Sequence, residues 1–286
     1  MKSFDDKVVV ITGAGSGIGR ALARNLARQG AVLAISDVDD AGLAETVDLV
    51  TAAGAREVRA DHLDVADRAA FAAYAASVAD GFGRVNVVVN NAGVALSGNL
   101  EDLEYPDMDW IIGINFWGVV HGTKEFLPHL IASGDGHVVN ISSLFGLVSM
   151  PGQSSYNATK YAVRGLSEAL RQELLIAGHP VHVTVVHPGG IKTAIARNAR
   201  VAGNDDPEET ARLFDERLAR MEPERAAEII VKGVLANKAR VLVGIDAHAV
   251  HHAAKLLGSR YQDVVARGGR RVRPSAPATP GHPPRG

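Results

Sequence analysis

The amino-acid sequence predicts a single-domain α/β fold, a doubly wound parallel sheet with helices on both faces. Seven short runs of β-branched and other apolar residues recur along the chain. Most of these runs are apolar at every position, which is typical of strands that helices cover on both faces of a sheet. Stretches rich in Ala and Leu with helical spacing separate the runs. Repeated alternation of strand and helix indicates one parallel α/β sheet.

The individual elements follow from these runs in chain order. The predicted strands are 8–11, 31–35, a weaker run at 57–60, 87–89, 137–141, 181–186 and 240–243. The predicted helices are 20–29, 41–53, 69–79, a helix near 107–131 and a helix near 154–177.

The C-terminal residues differ in composition from the rest of the chain. Residues 267–286 contain five arginines, no acidic residue and five of the twelve prolines. Such a segment cannot build a core, so we expect a folded domain at 1–266 and a disordered tail after it. The tail is interpreted either as an unselected extension or as a weak electrostatic tether to anionic lipid or nucleic acid.

The composition excludes several classes of function. The 286 residues carry 30 Lys and Arg against 32 Asp and Glu, so the charge gives no reason to expect a nucleic-acid partner. The chain has no cysteine, which excludes disulfides, thiolate metal sites and a cysteine nucleophile. No apolar run approaches the ~20 residues that span a bilayer, and the polar N-terminus is unlike a signal sequence. We therefore expect a cytoplasmic protein without an integral membrane segment.

A glycine-rich loop follows the first predicted strand and leads directly into a helix. Its sequence at 12–19 is Thr-Gly-Ala-Gly-Ser-Gly-Ile-Gly. Glycines allow a tight turn in which backbone N–H groups approach a pyrophosphate at the positive end of the helix dipole. Because the loop joins a strand to a helix at the start of a βαβ unit, it predicts a dinucleotide site. The residues expected to contact the dinucleotide here are Gly13, Ser16, Gly17, Ile18 and Gly19.

An acidic residue, Asp37, ends the second predicted strand, eighteen residues beyond the glycine loop. An acid near that spacing accepts hydrogen bonds from the adenosine ribose hydroxyls and repels a 2′-phosphate. Ser16 and Val38 offer no positive charge to such a phosphate, and Arg20 is expected to lie on the helix. The pattern therefore predicts NAD rather than NADP as the cofactor. The alternative interpretation is that Asp37 caps the helix that starts near Asp39.

Four further features complete a recognisable pattern. They are Asn-Asn-Ala-Gly at 90–93, Asn115, Ser143 thirteen residues before a Tyr-x-x-x-Lys sequence at 156–160, and Pro-Gly-Gly-Ile-Lys-Thr at 188–193. Together with the glycine loop they resemble the motifs of the short-chain dehydrogenase/reductase family, over about 4–243. Within that family, the stretches at 116–120 and 142–148 resemble those of actinobacterial NAD-dependent short-chain alcohol dehydrogenases. The resemblance implies a Rossmann-type fold and an oxidoreductase that transfers a hydride between NAD(H) and an alcohol or ketone.

The resemblance implies catalytic roles for four residues. Tyr156 would be the general acid/base, and Lys160, four residues later on the same helix face, would stabilise its phenolate together with the positive nicotinamide. Lys160 would also hold the nicotinamide ribose. Ser143 would bind the substrate oxygen, and the neighbouring Ser142 is a competing assignment that the spacing disfavours. Asn115 would anchor a water that connects Lys160 to solvent; the alternative is a buried polar residue at a helix bulge.

The resemblance also implies further cofactor contacts. Asn90 is assigned to the adenosine ribose side, Thr193 to the carboxamide, and the pair Asp64 and Val65 to adenine. For Asp64, a helix-capping role shared with Asp67 is the alternative. The cofactor-contacting residues expected outside the glycine loop are Asp37, Asp64, Val65, Asn90, Ala92, Gly93, Tyr156, Lys160, Pro188, Gly189, Ile191 and Thr193.

The expected substrate is an apolar secondary alcohol or ketone. The residues after Ser143 are mostly apolar, and Phe145 and Met150 join Ser143 and Tyr156 in the predicted substrate site. Residues at about 194–220 fit a lid that covers the substrate. We expect no catalytic metal, because the histidines near the C-terminus lack an evident third ligand.

The partner expected from the family resemblance is a second copy of the chain, in a homotetramer or homodimer. The helices near 107–131 and 154–177 carry more apolar positions than one core face needs. Three rival functions remain. They are an NADPH-dependent 3-ketoacyl reductase, which Asp37 disfavours, an enoyl reductase, which the short spacing of Tyr156 and Lys160 disfavours, and a non-catalytic dinucleotide sensor. A sensor has no need for the four catalytic residues together, so their joint presence favours an enzyme.

Overall fold

The computed structural model describes residues 1–203, 206, 208, 212 and 219–272. Most of the predicted lid beyond 203 therefore lies outside the described residues, as do residues 273–286 of the predicted tail. In the described part of the chain, no helix combines the length and the apolar character needed to cross a bilayer.

Nine strands occur in the described residues, seven of them in one parallel sheet. The nine strands are β1 (Val8–Thr12), β2 (Val32–Asp37), β3 (Val58–His62), β4 (Val87–Asn90), β5 (Leu96–Ser97), β6 (Gly136–Ile141), β7 (Val181–Pro188), β8 (Arg200–Val201) and β9 (Arg240–Val243). The large sheet has the order β3-β2-β1-β4-β6-β7-β9. Each of its strands overlaps one of the predicted strands, so the predicted fold class is confirmed.

Helices cover both faces of the large sheet. The described helices are α1 (Gly17–Ala27), α2 (Asp40–Ala52), α3 (Arg68–Phe82), α4 (Tyr105–Ile112), α5 (Gly118–Ala132), α6 (Ser154–Ala177), α7 (Pro223–Leu235), α8 (Ile245–Leu257) and α9 (Tyr261–Val272). Helices α1, α2 and α7 pack on one face, and α3, α5 and α6 pack on the other.

Alternate residues of each strand belong to the two cores. In β1, Val9 and Ile11 pack with the α1 layer, whereas Val8 and Val10 pack with the α3 layer. Side chains of a strand point alternately to the two faces of its sheet. Because both faces are covered, both sets of residues must be apolar, and this is why the predicted strands are apolar throughout.

The predicted helix near 107–131 is divided in the structure. A π-helical turn at Gly113–Trp117 separates α4 from α5. Asn115 lies fully buried in this turn and forms two hydrogen bonds with the backbone of Val94, accepting from its N–H at 2.8 Å and donating to its C=O at 2.9 Å. Helical conformation continues through the turn from Tyr105 to Ala132, so the predicted long helix is present, and the turn is the helix bulge of the alternative interpretation of Asn115. The apolar spacing on either side gives no sign of this turn. Wider turns of this kind are frequent at functional sites.

A small second sheet holds part of the predicted lid against the body of the protein. Strand β8 pairs with β5 in parallel, Leu96 opposite Arg200. The Arg200 guanidinium lies 3.9 Å from the centre of the Trp110 ring and 2.8 Å from Asp107 Oδ1, both on α4. Two-residue strands give no sequence signal, so this sheet was not predicted.

The chain continues in helical conformation past the predicted domain boundary. Helix α9 ends at Val272, so the first six residues of the segment predicted as a tail are helical. Before it, α8 and a 3-10 turn at Gly258–Arg260 follow β9. The C-terminal end of the described chain is therefore a pair of helices beyond the last strand of the sheet.

Two helical glycines, Gly122 in α5 and Gly165 in α6, give a matched test of the packing. A Cβ at Gly122 would lie 2.0 Å from Asn90 Oδ1 and 2.9 Å from Phe71 Cζ, whereas nothing lies within 4 Å of a Cβ at Gly165. We expect Gly122→Ala to lower the free energy of unfolding by about 1–3 kcal/mol through overpacking. Gly165→Ala should raise it by up to about 1 kcal/mol. Urea denaturation measures both values, and effects of equal size and sign would contradict the packing.

Candidate active site

The strand order of the large sheet reverses between β1 and β4. In such sheets ligands bind in the crevice beyond the carboxyl ends of the strands at the point of reversal. The glycine loop follows β1, the Asn-Asn-Ala-Gly segment follows β4, Ser143 follows β6, and the Pro-Gly segment begins at the end of β7. The sheet thus brings the predicted cofactor and catalytic segments to one edge.

The glycine loop makes backbone approaches that a side chain would block. A Cβ at Gly13, where φ is +66°, would lie 2.7 Å from Ala92 Cα. A Cβ at Gly17, where φ is +53°, would lie 3.0 Å from Thr193 Cγ2. Among the described residues, Ser16 makes no side-chain capping hydrogen bond to the first turn of α1. The N–H groups of this turn are therefore left for a ligand, and the arrangement fits the pyrophosphate of a dinucleotide.

Asp37 lies against the glycine loop. Its Oδ2 accepts a hydrogen bond from Gly15 N–H at 2.7 Å, and its Oδ1 accepts one from Asp39 N–H at 3.1 Å. The cap of α2 is Asp39, whose side chain accepts a hydrogen bond from Gly42 N–H. The helix-capping alternative for Asp37 is therefore wrong, and its carboxylate lies at the edge of the crevice.

Arg20 is held on the helices, as expected from the sequence. Its Nε donates to Thr46 Oγ1 at 3.0 Å, and its Nη2 donates to the carbonyls of Gly15 and Gly42. The same nitrogen lies 2.8 Å from Glu45 Oε2. These partners occupy the guanidinium on the α2 side of the loop.

Asp64 and Val65 are placed at the start of α3. Asp67 alone caps this helix, accepting from the N–H groups of Ala69 and Ala70, so the shared capping role for Asp64 was wrong. Asp64 instead accepts from Ala66 N–H at 2.9 Å in a local turn. Val65 is buried and accepts a hydrogen bond at its carbonyl from His121 Nδ1.

The two asparagines at 90 and 91 have different environments. Asn90 is 2% exposed, and its Nδ2 donates to Thr123 Oγ1 and Asn140 Oδ1 inside the protein. The expected contact with the adenosine ribose side of the cofactor would therefore have to come from the Asn90 backbone. Asn91, which the sequence reasoning missed, donates from Nδ2 to the carbonyls of Thr12 and Gly13. Asn91 thus positions the glycine loop. The one feature of the sequence that could have indicated this role is its position in the Asn-Asn-Ala-Gly motif.

The Pro-Gly segment after β7 is fixed from two directions. Asp246 at the start of α8 accepts a hydrogen bond from Gly190 N–H at 2.7 Å, and a Cβ at Gly189 would lie 2.2 Å from its Oδ2. Ile191 is 4% exposed and forms an isolated bridge with Met221. The segment therefore places Thr193 against Gly17 of the glycine loop. Asp246 was missed because nothing in the sequence links it to a segment more than fifty residues earlier.

The predicted general acid/base and its lysine lie together on the buried face of α6. Tyr156 is 8% exposed and Lys160 is 3% exposed. Lys160 Nζ lies 5.6 Å from the centre of the Tyr156 ring and donates to the carbonyl of Ile141 at 3.2 Å. A Cβ at Gly93 would lie 3.4 Å from the same Nζ and 3.2 Å from Asn115 Oδ1. Gly93 therefore allows the backbone after β4 to approach the lysine and the asparagine closely.

Ser143 faces Tyr156, whereas Ser142 is turned into the protein. The Ser142 hydroxyl is buried and donates to the Lys160 carbonyl at 2.8 Å. Ser143 Oγ accepts from Phe145 N–H at 3.1 Å and also interacts with the Tyr156 hydroxyl. His187, missed in the sequence, donates from Nδ1 to the Ser143 carbonyl at 2.8 Å and fixes the backbone there. The spacing therefore selected the serine that reaches the tyrosine.

Burial dominates the electrostatics of this site. Burial raises the pKa of Tyr156, and the hydrogen bond with Ser143 opposes this rise. Burial also lowers the pKa of Lys160 to about 8. His187 is neutral at physiological pH, because burial lowers its pKa to about 4. The surroundings of Tyr156 in the protein thus favour the protonated phenol.

The surroundings of the Tyr156 ring are apolar. Phe145 packs edge-to-face against it, with 6.1 Å between the ring centres. Met150 is half-buried in the loop that follows Phe145. Among the described residues no group of His, Asp or Glu side chains is arranged to hold a metal ion. The apolar residues that cluster with Tyr156 are Leu96, Ile111, Val94, Ala95, Leu103, Trp110, Ile112, Phe145 and Ile195.

A sequence model of the family described as short chain dehydrogenase matches residues 7–203, more than half of the chain. The chain belongs to the short-chain dehydrogenase/reductase family. This confirms the resemblance found in the sequence, and the protein is an oxidoreductase of that family.

Individual relatives agree with this assignment. The putative oxidoreductase SadH of Mycobacterium tuberculosis is 60% identical over 94% of this chain and 97% of its own. A short-chain dehydrogenase/reductase of Burkholderia phymatum, solved in complex with NAD, is 32% identical, covers 98% of this chain and 100% of its own, and has a TM-score of 0.81. An alcohol dehydrogenase of Thermococcus sibiricus, complexed with 5-hydroxy-NADP, is 29% identical over 84% of this chain and 95% of its own, with a TM-score of 0.70. Similar structures therefore include both NAD and NADP complexes.

Proposed function

We propose that this oxidoreductase transfers a hydride between NAD(H) and an apolar secondary alcohol or ketone, with Tyr156 as the general acid/base. The observation that carries the proposal is the pairing of Tyr156 and Lys160 on one buried helix face beside Ser143. A dinucleotide sensor has no use for a phenol and an ammonium group buried together at the crevice. Burying an ionisable group is costly, and such groups concentrate at catalytic sites.

The preference for NAD is supported by the charges at the end of β2. Asp37 lies at the edge of the crevice, held by Gly15, where its carboxylate would accept from ribose hydroxyls and repel a 2′-phosphate. Arg20 is the nearest candidate for binding such a phosphate, but its guanidinium is engaged by Thr46, Glu45 and two carbonyls. The residue after Asp37 is Val38, which is exposed and uncharged.

The residues of the chain divide the reaction between them. Bound NAD supplies the hydride acceptor and a positive charge near Tyr156. The Tyr156 phenolate takes the hydroxyl proton of the alcohol, and its phenol returns that proton to the ketone in the reverse direction. The Ser143 hydroxyl donates a hydrogen bond to the substrate oxygen. Lys160 stabilises the phenolate with its ammonium group and binds the nicotinamide ribose.

The apolar character of the substrate is supported by the ring of side chains around Tyr156. Phe145 packs on the phenol, and Ile195 joins the same cluster from the segment that follows Thr193. Arg200, a cation that stacks on Trp110 of this cluster, is paired with Asp107. A substrate carboxylate or phosphate would therefore have to compete with Asp107 for Arg200.

A homo-oligomer remains part of the proposal. Three apolar side chains at the two helices expected to form the interface are exposed: Trp117, Leu175 and Ile176, at 50%, 61% and 88%. Trp117 ends the π turn before α5, and the other two lie near the end of α6. Contact with a second copy would remove this apolar surface from water.

Replacing the proposed acid/base tests the function directly. We expect Tyr156→Phe to lower the rate of NADH formation from apolar secondary alcohols by at least about 100-fold, because the proton has no acceptor. Binding of NADH, followed by its fluorescence, should change little, since the ring and its packing remain. Wild-type activity in this variant would remove the mechanism, and a wild-type protein that binds NADH but oxidises no alcohol and reduces no ketone would favour the sensor.

The cofactor preference is tested at Asp37. We expect Asp37→Asn to lower kcat/KM for NAD by about 10- to 100-fold, the loss expected for hydrogen bonds to a charged acceptor, and to improve the use of NADP. Asp39→Asn is the matched control, because asparagine caps a helix as well as aspartate does. A wild-type protein that prefers NADP, or equal effects of the two substitutions, would contradict the assignment.

A further inference from the structure

The C-terminal helix α9 contacts the loop that leads from the catalytic serine to the catalytic helix. Tyr261, the first residue of α9, accepts a hydrogen bond at its hydroxyl from Ser149 N–H at 3.0 Å. Ser149 is exposed, whereas Leu147 and Val148 just before it are buried. The hydrogen bond therefore reaches the outer part of the loop, where buried apolar side chains no longer hold it.

A second tyrosine joins this contact. Tyr161 follows Lys160 on α6, and its hydroxyl interacts with both Ser149 and Tyr261. Burial raises the pKa of Tyr161, which is the direction expected for a hydroxyl that remains a donor. Hydrogen bonds from Ser149 and Tyr161 lower the pKa of Tyr261 even though burial opposes this. Three hydroxyl groups from α6, the loop and α9 thus form one cluster.

Two other residues of this loop, Phe145 and Met150, contact the catalytic helix α6. The Met150 carbonyl accepts a hydrogen bond from Asn157 Nδ2 at 3.0 Å, one residue beyond Tyr156. Phe145, at the start of the loop, packs edge-to-face on the Tyr156 ring. A displacement of Ser149 therefore moves a segment whose two ends contact the catalytic tyrosine or its neighbour.

One partner of this contact, Tyr261, lies outside the residues that the family model matches. That match ends at residue 203, whereas Tyr261 belongs to the pair of helices after the last strand. Ser149 and the proposed catalytic residues thus belong to the matched region, and Tyr261 belongs to the pair of helices that follows β9.

We propose that Tyr261 is a specificity-determining positioning residue, which holds the loop at 147–150 in place and thereby sets which apolar substrates fit beside Phe145 and Met150. The substrate part of this proposal rests on the proposed function. A substrate with a long apolar chain contacts this loop, whereas a small alcohol occupies only the space next to Tyr156 and Ser143. Loosening the loop therefore affects the binding of the long substrate and leaves proton transfer intact.

The experiment compares Tyr261→Phe with Tyr105→Phe. Tyr105 is 82% exposed on α4, so its substitution controls for the loss of a tyrosine hydroxyl elsewhere. Steady-state kinetics are measured with 2-propanol and 2-octanol, and hydrogen–deuterium exchange is measured on the peptide that contains Ser149. We expect Tyr261→Phe to raise KM for 2-octanol by about twofold to tenfold, the factor of one lost hydrogen bond, with kcat for either alcohol unchanged. Exchange at Ser149 should become faster in this variant only.

Each outcome decides one part of the proposal. Unchanged exchange at Ser149 would show that Tyr261 does not hold the loop, and would overturn the proposal. Faster exchange with an unchanged ratio of the two KM values would overturn its role in specificity. A uniform fall in kcat for both alcohols would indicate a general structural role and would also overturn it. If the wild type oxidises neither alcohol, the proposed function fails, and the exchange measurement still decides whether Tyr261 positions the loop.

Discussion

The burial of Lys160 beneath the Tyr156 ring is the constraint on which the rest of the site depends. The ammonium group has one protein acceptor within the described residues, the Ile141 carbonyl at 3.2 Å, and burial lowers its pKa to about 8. Such a group is costly to bury without partners. Gly93 has no side chain and so leaves room for the ammonium group. The Ser142 hydroxyl donates a hydrogen bond to the Lys160 carbonyl and so fixes the helix backbone there. Under the proposed function, the ribose hydroxyls of the bound cofactor would give this ammonium group further hydrogen-bond partners.

The pKa of Tyr156 also depends on the charges near its hydroxyl. In the protein alone, burial raises the pKa of Tyr156, so the phenol stays protonated and inert. From the sequence we expected the pKa of Tyr156 to be lowered, because Lys160 and a positive nicotinamide would both stabilise the phenolate. In the structure the two residues contact different parts of Tyr156. Lys160 lies over the face of the ring, and Ser143 interacts with the hydroxyl. Under the proposed function, the positive charge of the bound cofactor would add to the stabilisation of the phenolate.

The sequence predicted the fold because the fold depends on local patterns, and the roles of the site residues stay predictions. Apolar runs located all seven strands of the large sheet, and the spacing of Ser143 before Tyr156 chose the serine that faces the phenol. Contacts between distant segments could not be predicted. Asp246 on Gly190, His187 on Ser143 and the pairing of β5 with β8 leave no periodicity in the sequence. The inward side chain of Asn90 was missed because the sequence does not show which residue of the Asn-Asn pair faces the protein interior.

The most direct test of this account is the titration of Tyr156 itself. Ultraviolet absorbance of tyrosinate is recorded against pH for the wild type and for Tyr156→Phe, each with and without saturating NAD, and the variant is subtracted. With NAD present, the account predicts a tyrosinate signal that appears in the neutral range, because the cofactor's positive charge lowers the pKa of the phenol. Without NAD, burial holds the pKa of Tyr156 above its ordinary value, and the signal should appear only in strongly alkaline solution. The same titration curve in both conditions would contradict the central role of the buried phenol.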